Sequence, residues 1–249
     1  MSSPSGETVN AALASRKDVR DAVRAARSAF PKWAGATAYN RGQILYRVAE
    51  MLEGRREQFI AETQDADGVD AAIDRWVWYA GWADKIAQVF GGANPVAGPY
   101  FNLSAPEPTG VVGVVAPDSP LLGLVSVIAP AIVTGNTVVL LAATDHPRVA
   151  ITLAEVLATS DLPGGVVNIL TGRPAETAPW LAAHLDVNAV DLTGVADPEL
   201  ATACERDAAE NLKRVLRPSP DPVDWTAEPG TGRMTAFLET KTVWHPKGV

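Results

Sequence analysis

The first third of the chain carries apolar residues with the period of α-helices. The first helix is marked by a stripe at spacings of three and four, formed by Val19, Ala22, Val23, Ala26 and Phe30. Ser15, followed by Asp18, resembles a capping box at its start. Three further helices are predicted, from about Asn40, from Arg55 to about Thr63, and from about Asp70 to Phe90. Residues 64–70 indicate a loop, and the Gly/Pro-rich residues 91–110 a long connection.

From Val111 the pattern changes to short apolar runs without polar alternation, which is typical of buried strands. These runs are VVGVVA, NTVVLL, VVNIL, NAVDLT and LKRVL. Helical segments of roughly ten to fifteen residues separate them, which indicates βαβ units. The sequence therefore predicts an α/β protein with a Rossmann-like, doubly wound, mostly parallel sheet after an N-terminal helical lead-in.

The end of the chain has a third pattern. Residues 218–233 are too rich in Pro and Gly for a helix or a central strand. In residues 234–245, Phe237, Glu239, Lys241 and Val243 would share one face of a strand. No helix returns this strand to the sheet, so we expect it to pair with another sheet edge, within the chain or on a partner.

Composition excludes several classes of function. The 249 residues carry a net charge of −8, which disfavours a nucleic-acid or anionic-membrane surface. The apolar stretch 120–133 is too short to span a bilayer, and no basic start with an apolar run marks a secretory signal. The single cysteine, Cys204, excludes an intramolecular disulfide and suits the cytoplasm. With only three histidines, no metal site is expected.

Three clusters of side chains have alternative interpretations. Trp76, Trp78, Tyr79 and Trp82 could form a platform for a sugar or a base, but helix packing is favoured because large aromatics dominate core burial. The run Thr144, Asp145 and His146 is interpreted as a solvated turn. Lys213, Arg214 and Arg217 could bind an anion, although an ion-paired face is favoured in an acidic protein.

Several sequence motifs, occurring in the same order, resemble those of the aldehyde dehydrogenase superfamily. They are PTGVVGVVAP, IAPAIVTGNTVVL, LPGGVVNILTG, DLTG and AAENLKRV, followed at the end by FLETKTVWHPKG. The resemblance implies a coenzyme-binding domain with a helical start and a final strand used in subunit assembly. It also implies a catalytic domain between these two, for which the segment from Val215 to Glu239 is too short. The chain is therefore identified as a truncated paralogue that lacks the catalytic domain.

On this resemblance the chain divides into four parts. Residues 1–14 are expected to be disordered or frayed, and residues 15–217 to form the coenzyme-binding domain with its helical part. Residues 218–233 would be a linker in place of the catalytic domain, and residues 234–249 an oligomerisation strand.

The chemistry of the family needs groups that this sequence does not have in the matching places. A thiolate attacks the aldehyde, hydride passes to a nicotinamide, and a carboxylate activates water to release the acid. Cys204 lies in a predicted helix, unlike the family's nucleophile, and Pro218 stands about where the carboxylate is expected. Asp118 lies where the resemblance implies an Asn oxyanion donor, and an ionised Asp would repel the oxyanion. No catalytic residue is therefore assigned.

The coenzyme site is at best vestigial. Leu141 and Thr144 replace the Lys and Glu that hold the adenosine ribose in the family, while Gly172, Thr193 and Gly194 are retained. For these three, a role in maintaining turns is favoured over an active nucleotide site. With Asp118, they make up the candidate cofactor-binding residues. No cofactor is expected, and any NAD or NADP is expected to bind with weak affinity.

Three functions remain open. The preferred one is a pseudoenzyme, a structural or regulatory subunit that forms a homo- or hetero-oligomer with a full-length aldehyde dehydrogenase through residues 234–249. The second is an NAD(P)-dependent oxidoreductase whose site a partner chain completes. The third is a nucleotide-binding regulator without chemistry.

Overall fold

A computed structural model describes residues 10–248 and contains the predicted helical lead-in. Its helices are α1 (Arg16–Ala34), α2 (Ala38–Glu53), α3 (Arg56–Thr63), α4 (Ala66–Trp82) and α5 (Ile86–Phe90). At the start of α1, the Asp18 carboxylate accepts hydrogen bonds from the backbone N–H and the hydroxyl of Ser15. These bonds lower the pKa of Asp18.

Two predicted boundaries in this region are wrong. The predicted loop 64–70 is mostly helix, because the Asp65 carboxylate accepts a hydrogen bond from Gly68 N and caps α4 one residue later. The predicted continuous helix from Asp70 to Phe90 ends at Trp82, and a turn over residues 83–85 separates it from α5. Periodicity alone does not reveal either end, since both depend on local hydrogen bonds.

The aromatic cluster on α4 packs the lead-in together. Trp76 is fully buried and Tyr79 is 1% exposed. The Trp78 ring meets that of Tyr79 edge-on at 4.9 Å between centroids, and Trp82 stacks on Phe90. The packing interpretation of this cluster is confirmed.

The predicted parallel sheet is present and has five strands. In chain order this part comprises β3 (Val111–Val115), α6 (Leu122–Val133), β4 (Thr137–Leu141), α7 (Pro147–Ala158), β5 (Val167–Leu170), α8 (Pro174–Ala183), β6 (Ala189–Asp191), α9 (Pro198–Ala209) and β7 (Arg214–Leu216). The strand order is β5-β4-β3-β6-β7, and all neighbours are parallel. Strands are added first on one side of β3 and then on the other, which is the doubly wound arrangement predicted.

Alternate residues of the central strands face two separate cores. Val112 and Val114 of β3 pack into a core with α2, α4, α6 and α7. Val111 and Val115 face a second core with α1, α8 and α9. Because helices cover both faces, these strands are apolar throughout, as the sequence pattern indicated.

A second, antiparallel sheet lies outside the parallel one, with strand order β1-β2-β8. Its strands are β1 (Gly92–Asn94), β2 (Tyr100–Pro108) and β8 (Leu238–Pro246), the last following a short helix α10 (Gly232–Ala236). The long Gly/Pro-rich connection predicted over residues 91–110 therefore contains two strands, β1 and β2, that the sequence pattern did not reveal. β2 pairs with β8 along its whole length, from Tyr100↔Pro246 to Pro108↔Leu238, and this long-range pairing orders a Pro-rich segment.

The end of the chain begins its strand later than predicted. Residues 234–236 belong to α10, and Met234 and Phe237 are buried in the first core, so the strand starts at Leu238. Its partner edge is β2 of the same chain, one of the two arrangements left open by the sequence.

The N-terminal segment is described only from residue 10 onward, so the predicted frayed region 1–14 lies largely outside the described residues. Its described end lies beside the carboxyl end of β5, the edge strand of the parallel sheet. Ala14 N donates a hydrogen bond to Thr171 O (2.9 Å), and the Thr171 hydroxyl donates to Ala12 O (2.8 Å). No helix within residues 10–248 is both long and apolar enough to cross a membrane.

Candidate functional site

The carboxyl ends of β3, β4, β5 and β6 carry all the candidate coenzyme residues. In open α/β sheets this edge is the usual place for ligands, above all where the strand order reverses. Here the reversal lies between β3 and β6. The loop after β3 holds Asp118, and the turn after β6 holds Thr193 and Gly194, so these residues flank the switch point.

Asp118 makes a contact across the edge that the sequence does not predict. Its Oδ1 lies 3.1 Å from His146 Nε2, joining the loop after β3 to the start of α7. The Asp118 side chain is 73% exposed, whereas that of His146 is 16% exposed. His146 is therefore a part-buried partner of Asp118, and the interpretation of residues 144–146 as a solvated turn is wrong for this residue. Thr144 is half-buried in the same loop.

Leu141 is part of the second core. It is 2% exposed and belongs to the same cluster as Val115 and Val139. An aliphatic side chain held there offers no hydrogen bond to a ribose. The residues present thus do not fit the mode of adenosine binding that the resemblance implies at this position.

Gly172 lies directly beneath the N-terminal segment. Its φ is +148°, and a Cβ at this position would come within 3.0 Å of Ala14 N. Glycine is required here for two reasons, the positive φ and the close approach of the N-terminal segment at Ala14. The chain's own backbone covers the carboxyl end of β5 at this point.

Gly194 maintains the contact between β6 and β3. Its N–H donates a hydrogen bond to Val115 O (3.0 Å), and a Cβ would lie 1.9 Å from Ala116 O. A structural requirement therefore explains this glycine without a ligand.

Thr193 is held by an ion pair that sequence analysis missed. Asp191, with no exposed side-chain surface, binds Arg233 Nη1 through Oδ2 at 2.7 Å. The Thr193 hydroxyl and N–H both donate to the other oxygen, Asp191 Oδ1. Arg233 Nη2 in turn donates to Thr193 Oγ1 (3.0 Å). The sequence did carry one indication of this ion pair. Asp191 is the single charged residue in the apolar segment NAVDLT, and a carboxylate buried in a strand requires a partner.

The predicted linker 218–233 is anchored to the parallel-sheet domain. Arg75 Nη2 donates to Trp225 O and to Ala227 O, both at 2.8 Å, and Nη1 donates to Ser126 Oγ at 2.6 Å. The Arg233 guanidinium lies 5.2 Å from the centre of the Trp225 ring. This segment therefore packs against α4, α6 and the end of β6.

Cys204 lies within α9 and is not one of the residues at the carboxyl edge of the sheet. It is fully buried in α9, and burial together with Asp207 raises its pKa to about 11. Its interpretation as a small buried helix residue is confirmed. Thiolate, the reactive form, is scarce at neutral pH with such a pKa.

The basic run near β7 is ion-paired, as favoured from the sequence. Arg214 binds Glu239 of β8 with two hydrogen bonds of 2.7 and 2.8 Å, and Arg217 binds Glu205 at 2.6 Å. Lys213 instead donates to the Asn211 side chain. Within residues 10–248, no three His, Cys, Asp or Glu side chains gather as metal ligands.

Comparison with known proteins agrees with this geometry. The family model described as "Aldehyde dehydrogenase family" matches residues 3–217. The chain is 34% identical over 219 residues to cytosolic aldehyde dehydrogenase 1 of Elephantulus edwardii, covering 81% of this chain and 42% of the relative. It is 34% identical over 216 residues to human mitochondrial aldehyde dehydrogenase, covering 80% and 41%. The chain thus spans less than half the length of these curated relatives.

Solved structures show the same similarity. An NAD⁺ complex of aldehyde dehydrogenase from Bacillus cereus superposes with a TM-score of 0.76 at 30% identity, over 86% of this chain and 48% of that one. HpcC from Thermus thermophilus gives a TM-score of 0.76 at 31% identity, over 86% and 45%. The Rossmann-like fold predicted from the strand pattern is confirmed by these neighbours.

Proposed function

This chain belongs to the aldehyde dehydrogenase family, and from that premise we propose that it is a non-catalytic, cytoplasmic subunit of that family. It would associate with itself or with a catalytic aldehyde dehydrogenase. The observation that carries the proposal is Cys204, the single cysteine, which is fully buried in a helix and has its pKa raised to about 11. A covalent aldehyde intermediate needs an accessible thiolate.

Weak coenzyme binding is part of this proposal. Leu141 is buried in the second core, and the Thr193 hydroxyl is already engaged by Asp191 and Arg233. Asp118 adds negative charge at the edge where a pyrophosphate would lie. Each of these features removes or opposes a hydrogen bond to a dinucleotide, and NAD or NADP is expected to bind only at high concentration.

Assembly through the last strand is supported by the outer sheet. β8 is an edge strand, because only β2 pairs with it among the described residues. Exposed apolar side chains lie on β8 and on its neighbour β2, namely Val243 at 37% and Trp244 at 58% on β8, and Phe101 at 57% and Leu103 at 46% on β2. An unpaired backbone edge beside apolar side chains is suited to a second sheet.

Turnover of aldehydes is the first test. The purified chain is mixed with NAD⁺ and a panel of aliphatic and aromatic aldehydes, and NADH is followed by absorbance. We expect no reduction above that of a blank. Steady reduction that the Cys204→Ser variant abolishes would refute the proposal.

Assembly is the second test. Light scattering after size-exclusion chromatography is measured for the chain alone and mixed with a full-length aldehyde dehydrogenase from the same cell. We expect a dimer or larger species in at least one of these samples. A strict monomer in both samples contradicts the assembly role.

A nucleotide-binding regulator is the second candidate, favoured by the switch point between β3 and β6, where open α/β sheets bind ligands, and by the NAD⁺-bound relative of the same fold. It predicts that millimolar NAD raises the melting temperature without turnover. The subunit proposal predicts almost no shift. An oxidoreductase site completed by a partner predicts turnover only when the chain is mixed with a partner that keeps its own cysteine but whose own coenzyme site has been inactivated.

A further inference from the structure

A cavity of about 260 Å³ lies between α4, α6 and the segment 223–233. Its wall includes Arg75, Tyr79, Ser126, Trp225 and Arg233. None of the candidate coenzyme residues lines it. Its volume lies just below the usual range of about 300–1,000 Å³ for small-molecule sites, so it suits only a ligand of few atoms.

Arg75 brings a buried charge with only neutral partners. It is 8% exposed, and its hydrogen bonds go to Ser126 Oγ, Trp225 O and Ala227 O. No carboxylate of the described residues forms an ion pair with it, and Asp224 acts on it only through space. A buried charge without a counter-ion is costly, and a bound anion at the remaining donors would offset that cost.

Tyr79 supplies an unused donor at the same place. The residue is 1% exposed and lines the cavity, yet its hydroxyl makes no hydrogen bond to a described residue. Burial raises the pKa of Tyr79 to about 12, against the opposing effects of Arg75 and Arg233. Both guanidinium groups therefore lie near this hydroxyl, which stays protonated and able to donate.

Two acidic residues on the wall limit what this site can accept. Asp224 has its Oδ1 bonded to the N–H and hydroxyl of Thr226, and Glu228 is exposed at the rim. Arg233 is already neutralised by Asp191. The net positive charge left for a ligand is small, which disfavours a doubly charged phosphate relative to a singly charged carboxylate.

We infer that this cavity binds a small monocarboxylate, with Arg75 and the Tyr79 hydroxyl as donors and the Trp225 region as an apolar wall. Nη2 of Arg75 uses both of its hydrogens on Trp225 O and Ala227 O, and Nη1 uses one on Ser126 Oγ. The second Nη1 hydrogen and the Nε hydrogen of Arg75 are therefore the donors left for a carboxylate, beside the Tyr79 hydroxyl. This site is independent of whether the chain is catalytic or assembles, since none of its residues belongs to the candidate coenzyme residues or to β8.

The test is calorimetric titration of the full chain with sodium acetate, propionate and benzoate at constant ionic strength, with chloride and inorganic phosphate as comparisons. We expect saturable carboxylate binding in the millimolar range or tighter, and weaker binding of phosphate and chloride. The variant Arg75→Gln should weaken binding by about 10-fold or more, since a charge-assisted bond is lost. The matched control Arg173→Gln, at an exposed arginine paired with Glu176, should leave it unchanged.

Arg75→Gln also releases the segment 223–233, so a second variant separates binding from folding. Tyr79→Phe removes a hydroxyl with no protein partner and should keep the wild-type melting temperature while weakening carboxylate binding several-fold. Absence of saturable carboxylate binding in the wild type overturns the inference. Equal affinity in wild type and both variants, or phosphate binding tighter than that of every carboxylate, overturns it as well.

Discussion

Gly194 lies where β6 meets β3, and there is no space for a side chain at this position. The space for its Cβ is taken by the backbone oxygen of Ala116, which no rotamer change can move. The hydrogen bond from Gly194 N to Val115 O then fixes the turn that carries Thr193. The geometry of this edge therefore depends on a backbone contact, and its glycine is retained whether or not a ligand binds.

We predict that Gly194→Ala lowers the free energy of unfolding by about 3 kcal/mol or more, because β3 and β6 must separate to admit the methyl group. Chemical denaturation measures the change. Gly81→Ala is the control, since its Cβ meets nothing within 4 Å in α4, and a gain of less than about 1 kcal/mol is expected there. Equal stability of the two variants would contradict the contact.

Cys204 is predicted to be unreactive in the folded protein. Burial raises its pKa to about 11, which leaves little thiolate at pH 8, and the buried position slows labelling further. Alkylation with iodoacetamide, with and without denaturant, measures this. Native labelling at the rate of a free cysteine would show the thiol to be accessible.

The same shift gives stability a pH dependence of known sign. The unfolded chain releases the Cys204 proton near pH 9, whereas the folded chain keeps it to about pH 11. Deprotonation therefore favours the unfolded state, and stability should fall as pH rises through this window. Cys204→Ser should lose this component of the profile, which denaturation between pH 8 and 11 detects.

Among the elements, Asn136 is one connection between the outer sheet and the parallel sheet. This fully buried residue accepts a hydrogen bond from Gly110 N (2.8 Å) and donates to Phe237 O (2.9 Å). It thus connects the residue before β3, the turn before β4 and the residue before β8. The ion pair between Arg214 of β7 and Glu239 of β8 is a second, exposed connection.

We predict that Asn136→Ala destabilises the protein by about 2–3 kcal/mol, because it leaves the buried Gly110 N–H without a partner and removes one of the two hydrogen bonds to Phe237 O. Hydrogen exchange should show the loss of protection concentrated at β2 and β8. Asn40→Ala, at an exposed asparagine of α2, should change stability by less than about 0.5 kcal/mol. A uniform loss of protection across the molecule would argue against a local connection.

For the whole molecule, the distribution of exposed apolar surface indicates where a second chain would attach. Phe101, Leu103 and Val243 lie on one face of the outer sheet, since Leu103 and Val243 are direct partners in the register. Lys247 Nζ lies 4.7 Å from the centre of the Phe101 ring at the margin of this face. Apolar side chains clustered this way are typical of interfaces between proteins.

We predict that replacing Phe101 and Leu103 together by Ser weakens self- or hetero-association by about 10-fold or more, as expected when buried anchors are lost from an interface. Sedimentation at several concentrations measures the dissociation constant. Ile151→Ser removes a comparably exposed apolar side chain from α7 and should have no effect. An unchanged constant in the double variant would place the interface elsewhere.

The alternation of apolar runs and helical stripes was sufficient to predict the parallel sheet, its helices and its doubly wound class. The central strands β3 and β4 are buried on both faces, so their own residues carry the signal. The words shared with the family likewise placed the candidate coenzyme residues at one edge of that sheet. Strands, helices and family motifs depend on residues that are close together in the chain, so the sequence alone predicts them.

Pairing between distant segments had no such signal. The Pro-rich β2 is a strand only because β8 lies beside it, and Asp191 is tolerated in the interior only because Arg233 returns to it. Nothing in the sequence distinguishes Arg75 from other helical arginines. Only the structure shows that it donates hydrogen bonds to the backbone carbonyls of Trp225 and Ala227. Composition and periodicity determined the nucleotide-type fold, whereas the outer sheet, the anchored segment and the cavity were decided by the tertiary structure, because their stabilising contacts join residues that are far apart in the chain.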